Sequence, residues 1–236
     1  MLRSLPYGEA DQVVTVFTQQ LGVVSVLSRG ARQFRRGAPS ALEPMHTLQL
    51  ELTERAGAEL LGMRSASIAA PRLHLTRDLD RMQAAGRALR WLRRSLPPRT
   101  PEPEAWSEIH WLLYELDRPL LPRASGLLLA DFGVTLTAAL GYALNLRSCV
   151  VCGRQADPGK SAFLDSSLGG IVCRSCGGRG LLLPADTRAR LIALYGGERG
   201  ALVEQDVAVA IELIESTLRA HMGIEPEDPA TSGSRA

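Results

Sequence analysis

Cys149-Val150-Val151-Cys152-Gly153 and Cys173-Arg174-Ser175-Cys176-Gly177 contain all four cysteines of the chain in two copies of one pattern, with 20 residues between Cys152 and Cys173. Each pair sets two thiolates on a tight turn, and the glycine after it lets the backbone fold back with its N–H groups towards sulfur. Two such knuckles brought together give four soft ligands in a tetrahedron, the geometry of a structural zinc site. The spacing lies at the upper end of the range for a zinc ribbon. Two redox dithiols, or two disulfides of a secreted domain, are the other readings of these residues. Nothing else in the chain points to secretion, and a redox motif has no reason to be duplicated with matching glycines. The expectation is one Zn²⁺ held by Cys149, Cys152, Cys173 and Cys176. Four thiolates leave no position for water, so the metal is expected to hold structure.

The length of 236 residues allows one large or two small domains plus a zinc module, and an apolar content of 45% excludes wholesale disorder. No N-terminal stretch joins a basic start to an apolar core, and no apolar run approaches the ~20 residues that span a bilayer. Thiols committed to a metal fit a reducing compartment, so a soluble cytoplasmic protein is expected. The net charge of +2 is unevenly spread: residues 1–70 carry +1, 71–148 carry +3, 149–180 carry +2 and 181–236 carry −4. The basic residues are 26 arginines and one lysine, Lys160. A base-composition bias explains such an excess equally well, so the clustering of the arginines says more than their number.

Residues 1–70 read as short strands. Val13–Phe17 and Val23–Leu27 are β-branched runs separated by Thr18-Gln-Gln-Leu-Gly22, a hairpin loop with a glycine suited to positive φ. Met45–Leu52 alternates, with Leu48, Leu50 and Leu52 on one face. Leu60–Ile68 is a weaker fifth strand, and Leu2–Leu5 ends a first one before the turn Pro6-Tyr-Gly-Glu9. About five short strands suggest a small closed barrel of the oligonucleotide-binding (OB) type. Between the third and fourth strands, Ser28–Ser40 carries Arg29, Arg32, Arg35 and Arg36 with Phe34 and no acid. Guanidinium groups with an aromatic on a barrel loop suit phosphate contacts plus base stacking. A merely solvated loop is the bland alternative, and Phe34 packs into the barrel as readily as it stacks on a base.

From Leu79 the apolar period becomes helical. Leu79, Met82, Gly86, Leu89 and Leu92 form the expected inner face of a first helix. Arg81, Arg87, Arg90, Arg93 and Arg94 form a solvated, secondary basic patch. A stiff Pro97–Pro103 connection precedes a second helix, Glu104–Leu116. A third helix starts near Pro122 with Leu128, Phe132, Leu136, Leu140 and Leu144, and is expected to be the central one. Phe163-Leu164 and Gly169–Val172 read as a ribbon hairpin between the knuckles. Pro184 opens a short helix closed by Gly196-Gly197, and a last helix runs from about Val203 to Met222. The expected architecture is α+β and multidomain: an OB-type barrel over 1–72, and a helical domain over 73–148 and 180–224. A zinc module over 149–179 is inserted in the helical domain, and 225–236 form a disordered tail.

Enzyme motifs are absent: there is no phosphate loop, dinucleotide fingerprint, His-Glu-x-x-His or Gly-x-Ser-x-Gly. His46, His74, His110 and His221 are scattered and read as packing or surface residues, and Glu9 and Asp11 as turn caps. The chain resembles the DNA recombination and repair protein RecO family. Leu2-Arg-Ser-Leu-Pro-Tyr-Gly-Glu-Ala-Asp11, Val14-Thr-Val-Phe-Thr18, Gly22 and Ser28-Arg-Gly-Ala-Arg32 are similar to its N-terminal signature. Leu144–Arg154 and Phe163…Gly169–Cys176 are similar to its zinc segment.

The resemblance spans residues 2 to about 222. It implies a non-enzymatic mediator of DNA repair that binds single- and double-stranded DNA and anneals complementary strands. It also implies contact with the single-stranded DNA-binding protein and RecR, help in placing RecA on coated DNA, and a cytoplasmic, nucleoid-associated location. It places DNA contacts on Arg29, Arg32, Arg35 and Arg36 and a metal on the four cysteines. Family members normally carry several more residues before Leu2, so the resemblance also implies a clipped first strand. Some members lack the cysteines. A zinc-stabilised adaptor that binds only proteins is the alternative.

Overall fold

The structure is a computed structural model that describes residues 1–30, 42, 44–54 and 59–222. The N-terminal strands are β1 (Arg3–Tyr7), β2 (Asp11–Thr18), β3 (Gly22–Ser28), β4 (Thr47–Thr53) and β5 (Leu61–Ala70). They form one sheet of order β1-β2-β3-β5-β4, antiparallel except for the β3–β5 pair, where Val26 faces Leu61 and Leu27 faces Gly62. This is the five-stranded OB-type arrangement, and all five expected strands are present. The barrel is not closed: among the described residues no pairing joins β1 to β4. β1 has five residues, all exposed, and β4 carries two register shifts against β5, at Thr47/Leu48 and Glu51/Leu52. A short strand with no buried face has little apolar gain with which to close a sheet.

The period-2 pattern sorts the two faces. Val14 and Val16 of β2 pair with Val26 and Val24 of β3, and these four with Leu61 make a small core inside the sheet. Phe17 lies on the opposite face and joins the core of the helical region instead. The start of β3 is held from outside, since Arg99 N–H donates to Val23 O at 2.9 Å.

Among the described residues five α-helices follow: α1 (Leu79–Ser95), α2 (Pro103–Leu116), α3 (Ser125–Ala139), α4 (Ala185–Tyr195) and α5 (Val207–Met222). α3 is buried on every side from Leu127 to Val134, as expected of the central helix, but it stops before Leu140 and Leu144. Of the residues expected to open the last helix, Val203 is extended and Glu204–Asp206 form a short 3-10 turn. Among the described residues no helix is long and apolar enough to cross a membrane.

The inner face of α1 differs from the expected one. Leu79 is 68% exposed and Met82 37%, whereas Arg81, Ala84, Ala85, Ala88, Leu89, Trp91 and Leu92 are buried. Trp91 stacks on Phe132 of α3 with centroids 6.4 Å apart. Arg81 turns inward because the last carbonyls of α2 need donors. It donates to Leu116 O at 3.1 Å, Arg118 O at 2.6 Å and Pro119 O at 3.5 Å. Arg87 is paired with Glu215 of α5 at 2.7 Å. The solvated arginine patch expected on this helix therefore loses two of its members.

Between α3 and α4 sits a second sheet of order β7-β6-β8, from β6 (Ala162–Asp165), β7 (Gly170–Val172) and β8 (Leu181–Leu183). The β6–β7 hairpin matches the expected ribbon. β8 was not expected; a three-residue apolar run ending at Pro184 carries no strand signature until it pairs with β6. Leu146, Leu164, Ile171 and Leu183 are buried in the same core as the helices, so this small sheet shares their interior.

Candidate metal centre and basic segment

The first knuckle is the tip of a hairpin. Ala156 N–H donates to Arg147 O, and Cys149 N–H to Arg154 O, both at 2.9 Å. At the tip Gly153 N–H returns to Cys149 O at 2.8 Å. The second knuckle follows β7, where Cys176 N–H and Gly178 N–H both donate to Cys173 O at 3.0 Å. Gly153 (φ 73°) and Gly177 (φ 85°) occupy the left-handed region, as the Cys-x-x-Cys-Gly pattern requires of a residue without a Cβ.

These two turns bring together Cys149, Cys152, Cys173 and Cys176, whose sulfurs all lie within 4.8 Å of one another. All four are free thiols. A zinc–sulfur bond of ~2.3 Å puts tetrahedral sulfurs about 3.8 Å apart, and Cys152 Sγ lies 3.8 Å from Cys173 Sγ. The donor set fits a thiophilic divalent ion. Cys149 is buried and accepts a hydrogen bond from Cys173 N–H at 3.4 Å, while Cys152 is exposed.

The electrostatics suit a cation. The N–H of Cys173, helped by those of Cys152 and Val151, pulls the Cys149 thiol down to about 6. Cys173 is also lowered, first by the neighbouring Cys176 thiol. Cys176 is pushed up to about 12 by Cys173 and Cys152 beside it. Four sulfurs this close cannot all carry charge alone, and a divalent ion at their centre removes the obstacle. With all four positions filled by sulfur, such an ion would organise the two knuckles and leave no site for substrate.

Of the residues expected at a DNA interface, Arg29 is described and exposed, directly after β3. Gly30 N–H donates to Asp11 Oδ1 at 2.8 Å, which ties the start of the basic segment to the first residue of β2. Asp11, expected to cap the turn after the first strand, instead begins β2 and its carboxylate holds the backbone at the far end of β3. Arg32, Phe34, Arg35 and Arg36 lie outside the described residues, as does the tail 225–236. Three histidines pack: His46 Nδ1 accepts from Arg72 N–H at 3.0 Å, His110 lies on Trp106, and His221 stacks on Tyr142. His74 is exposed.

The sequence reading missed Arg188 of α4, 2% exposed, whose guanidinium lies among carbonyls of the metal-binding region. Its signal was available, because Arg188 shares the inward face of α4 with Leu191 and Leu194. An arginine on an apolar face is a request for interior acceptors.

Two family models match the chain. Recombination protein O N terminal covers residues 1–72 and Recombination protein O C terminal covers residues 76–228. The DNA repair protein RecO of Anaeromyxobacter sp. (strain K) is 34% identical over 232 residues, 94% of this chain and 89% of its own length. The RecO of Geobacter sulfurreducens is 31% identical over 228 residues, and that of Myxococcus xanthus 29% over 226; each alignment covers 94% of this chain and 90% of the relative. With both halves matched and relatives aligned over nearly their whole length, the chain belongs to the recombination protein O (RecO) family.

Proposed function

We propose that this protein is a non-enzymatic recombination mediator in DNA repair. It binds single- and double-stranded DNA, anneals complementary strands and helps place RecA on strands coated by the single-stranded DNA-binding protein, with RecR as a further partner. It acts in the cytoplasm, at the nucleoid. The observation that carries this reading is membership of the RecO family across both halves of the chain. The OB-type strand order supports it, because such sheets present loops to nucleic acid.

The chemistry asked of the protein is modest. Strand pairing is downhill, so a protein need only screen phosphate repulsion and hold two strands close. Arg29, Arg32, Arg35 and Arg36 supply the screening, and Phe34 a stacking surface worth ~1–3 kcal/mol per base. Cys149, Cys152, Cys173 and Cys176 hold one structural Zn²⁺. The domains are an open OB-type sheet over 1–72, a helical domain over 73–148 and 180–224, and the inserted zinc module over 149–179.

Filter binding with labelled single- and double-stranded DNA, followed by annealing of complementary strands without nucleotide, tests the reading. Retention of both DNAs and annealing in the absence of ATP are expected. Failure to retain any DNA would favour the protein-only adaptor, and annealing that required ATP hydrolysis by this chain would overturn the non-enzymatic reading.

A further inference from the structure

Arg188 is the one guanidinium among the described residues that joins α4 to both ends of the first knuckle. Its Nη1 donates to Leu146 O at 3.1 Å, on the segment entering the hairpin. Its Nη2 donates to Asp157 O and, at 3.3 Å, to Pro158 O, on the segment leaving it. Residues 147–156 between these points are the hairpin that carries Cys149 and Cys152, zipped by Ala156 N–H to Arg147 O and Cys149 N–H to Arg154 O. The hairpin is therefore held twice: at its tip by the thiol cluster, and at its base by one side chain from α4.

The side chain that does this is a charge removed from water, 2% exposed, with its Nε buried and without a partner. Its hydrogen bonds go to backbone carbonyls on the two sides of the hairpin base. A buried guanidinium is tolerable only while such acceptors stay in place. Anything that lets 146–158 drift leaves the charge in α4 unsatisfied, and α4 cannot keep its docked position at no cost. Leu191 and Leu194 of α4 are buried in the main core, so the consequence reaches the helices.

We propose that Arg188 is a positioning residue for the metal site, through which metal occupancy is coupled to the docking of α4. The proposal rests on the four thiols holding zinc. Coupling of this kind is reciprocal: zinc steadies α4 by the same factor by which docked α4 favours zinc. The metal then acts as a brace for the helical core as well as for its own module.

The test uses the full-length, zinc-loaded protein with two readouts. The first is the rate of zinc release to an excess of a chromophoric chelator, compared among wild type, Arg188→Lys and Arg188→Met. Methionine keeps much of the apolar stem and removes every donor; lysine keeps the charge but lacks the fork that reaches both ends of the hairpin. Release is expected to be about 10- to 100-fold faster in Arg188→Met, the range seen when groups that orient metal ligands are lost, and intermediate in Arg188→Lys.

The second readout is amide hydrogen exchange of wild type before and after chelation, which needs no variant to fold. Loss of protection across residues 185–195 as well as 149–179 is expected. A folded Arg188→Met variant that binds one zinc and releases it at the wild-type rate would overturn the inference. So would exchange changes confined to 149–179. A wild-type protein that takes up no zinc at all would instead overturn the metal reading, and the inference with it.

Discussion

Phe17 of β2 and Trp106 of α2 meet edge to face, with ring centroids 5.3 Å apart and planes at 75°. An aromatic on the outer face of the N-terminal sheet is thereby part of the helical core. Removing it should destabilise both parts together. Phe17→Ala is expected to cost about 3 kcal/mol or more, read as a shift of the urea midpoint in which far-UV circular dichroism and tryptophan fluorescence move together. A variant in which only one probe shifts would show that the sheet and the helices unfold independently.

The first residue of β3 makes a second, sharper test of the same junction. Gly22 has φ 65°, and a Cβ there would fall on the Thr100 carbonyl. Gly8 has φ 60° but open space around a Cβ. Gly8→Ala should carry only the backbone strain of about 1 kcal/mol, whereas Gly22→Ala adds a collision with main chain and should cost distinctly more. Equal urea midpoints for the two variants would contradict the packing of Gly22 against the segment after α1.

Asp206 gives the pH dependence a sign. Burial raises its pKa, but hydrogen bonds from Arg190, Thr187 and the Val203 N–H outweigh burial and hold it below the ordinary carboxylate value. A depressed folded-state pKa contributes stability that is present above the unfolded value of ~3.9 and is lost as pH falls through the folded value. Wild type should therefore exceed Asp206→Asn in melting temperature at neutral pH, and the gap should narrow below about pH 4. A gap that stays constant down to acid would show that the carboxylate is not held in its charged form by these partners.

The parts of the fold legible in the sequence were those with a strong local period or a fixed backbone demand. β2 and β3 alternate, and Val14, Val16, Val24 and Val26 fall inward as their spacing dictates. Gly153 and Gly177 announce the knuckles because only a left-handed residue closes those turns. What stayed hidden depends on partners distant in sequence. The inward turn of Arg81 answers the carbonyls at the end of α2, and Arg188 answers carbonyls of the hairpin. β8 exists because β6 offers it an edge. The open β1–β4 side likewise depends on how β1 lies, which a five-residue run does not encode. Spacing can place an arginine on an apolar face, as it does Arg188, but it does not name the acceptors, which for Arg81 and Arg188 lie far away in sequence.

The metal prediction is quantitative. Protein purified under reducing conditions should contain one equivalent of zinc per chain, measured by elemental analysis, and Cys149→Ser should lower that content. Because thiolate–zinc bonds form only in the folded module, chelation should lower the melting temperature of wild type. Well under one equivalent of metal, or the four cysteines found as two disulfides in freshly purified protein, would contradict the assignment.

The central claim, that this chain acts on DNA through the basic segment after β3, is tested most directly by the salt dependence of single-stranded DNA affinity. Four phosphate contacts, if made by Arg29, Arg32, Arg35 and Arg36 as proposed, would contribute a slope of about −0.7 each, roughly −3 in log affinity against log salt. Between ~50 and ~200 mM salt that contribution weakens binding about fiftyfold. Alanine at all four positions, with zinc content and melting temperature as controls for folding, should weaken binding and flatten the slope by about that amount. A folded quadruple variant with the wild-type slope would contradict the account and move the DNA site away from this segment.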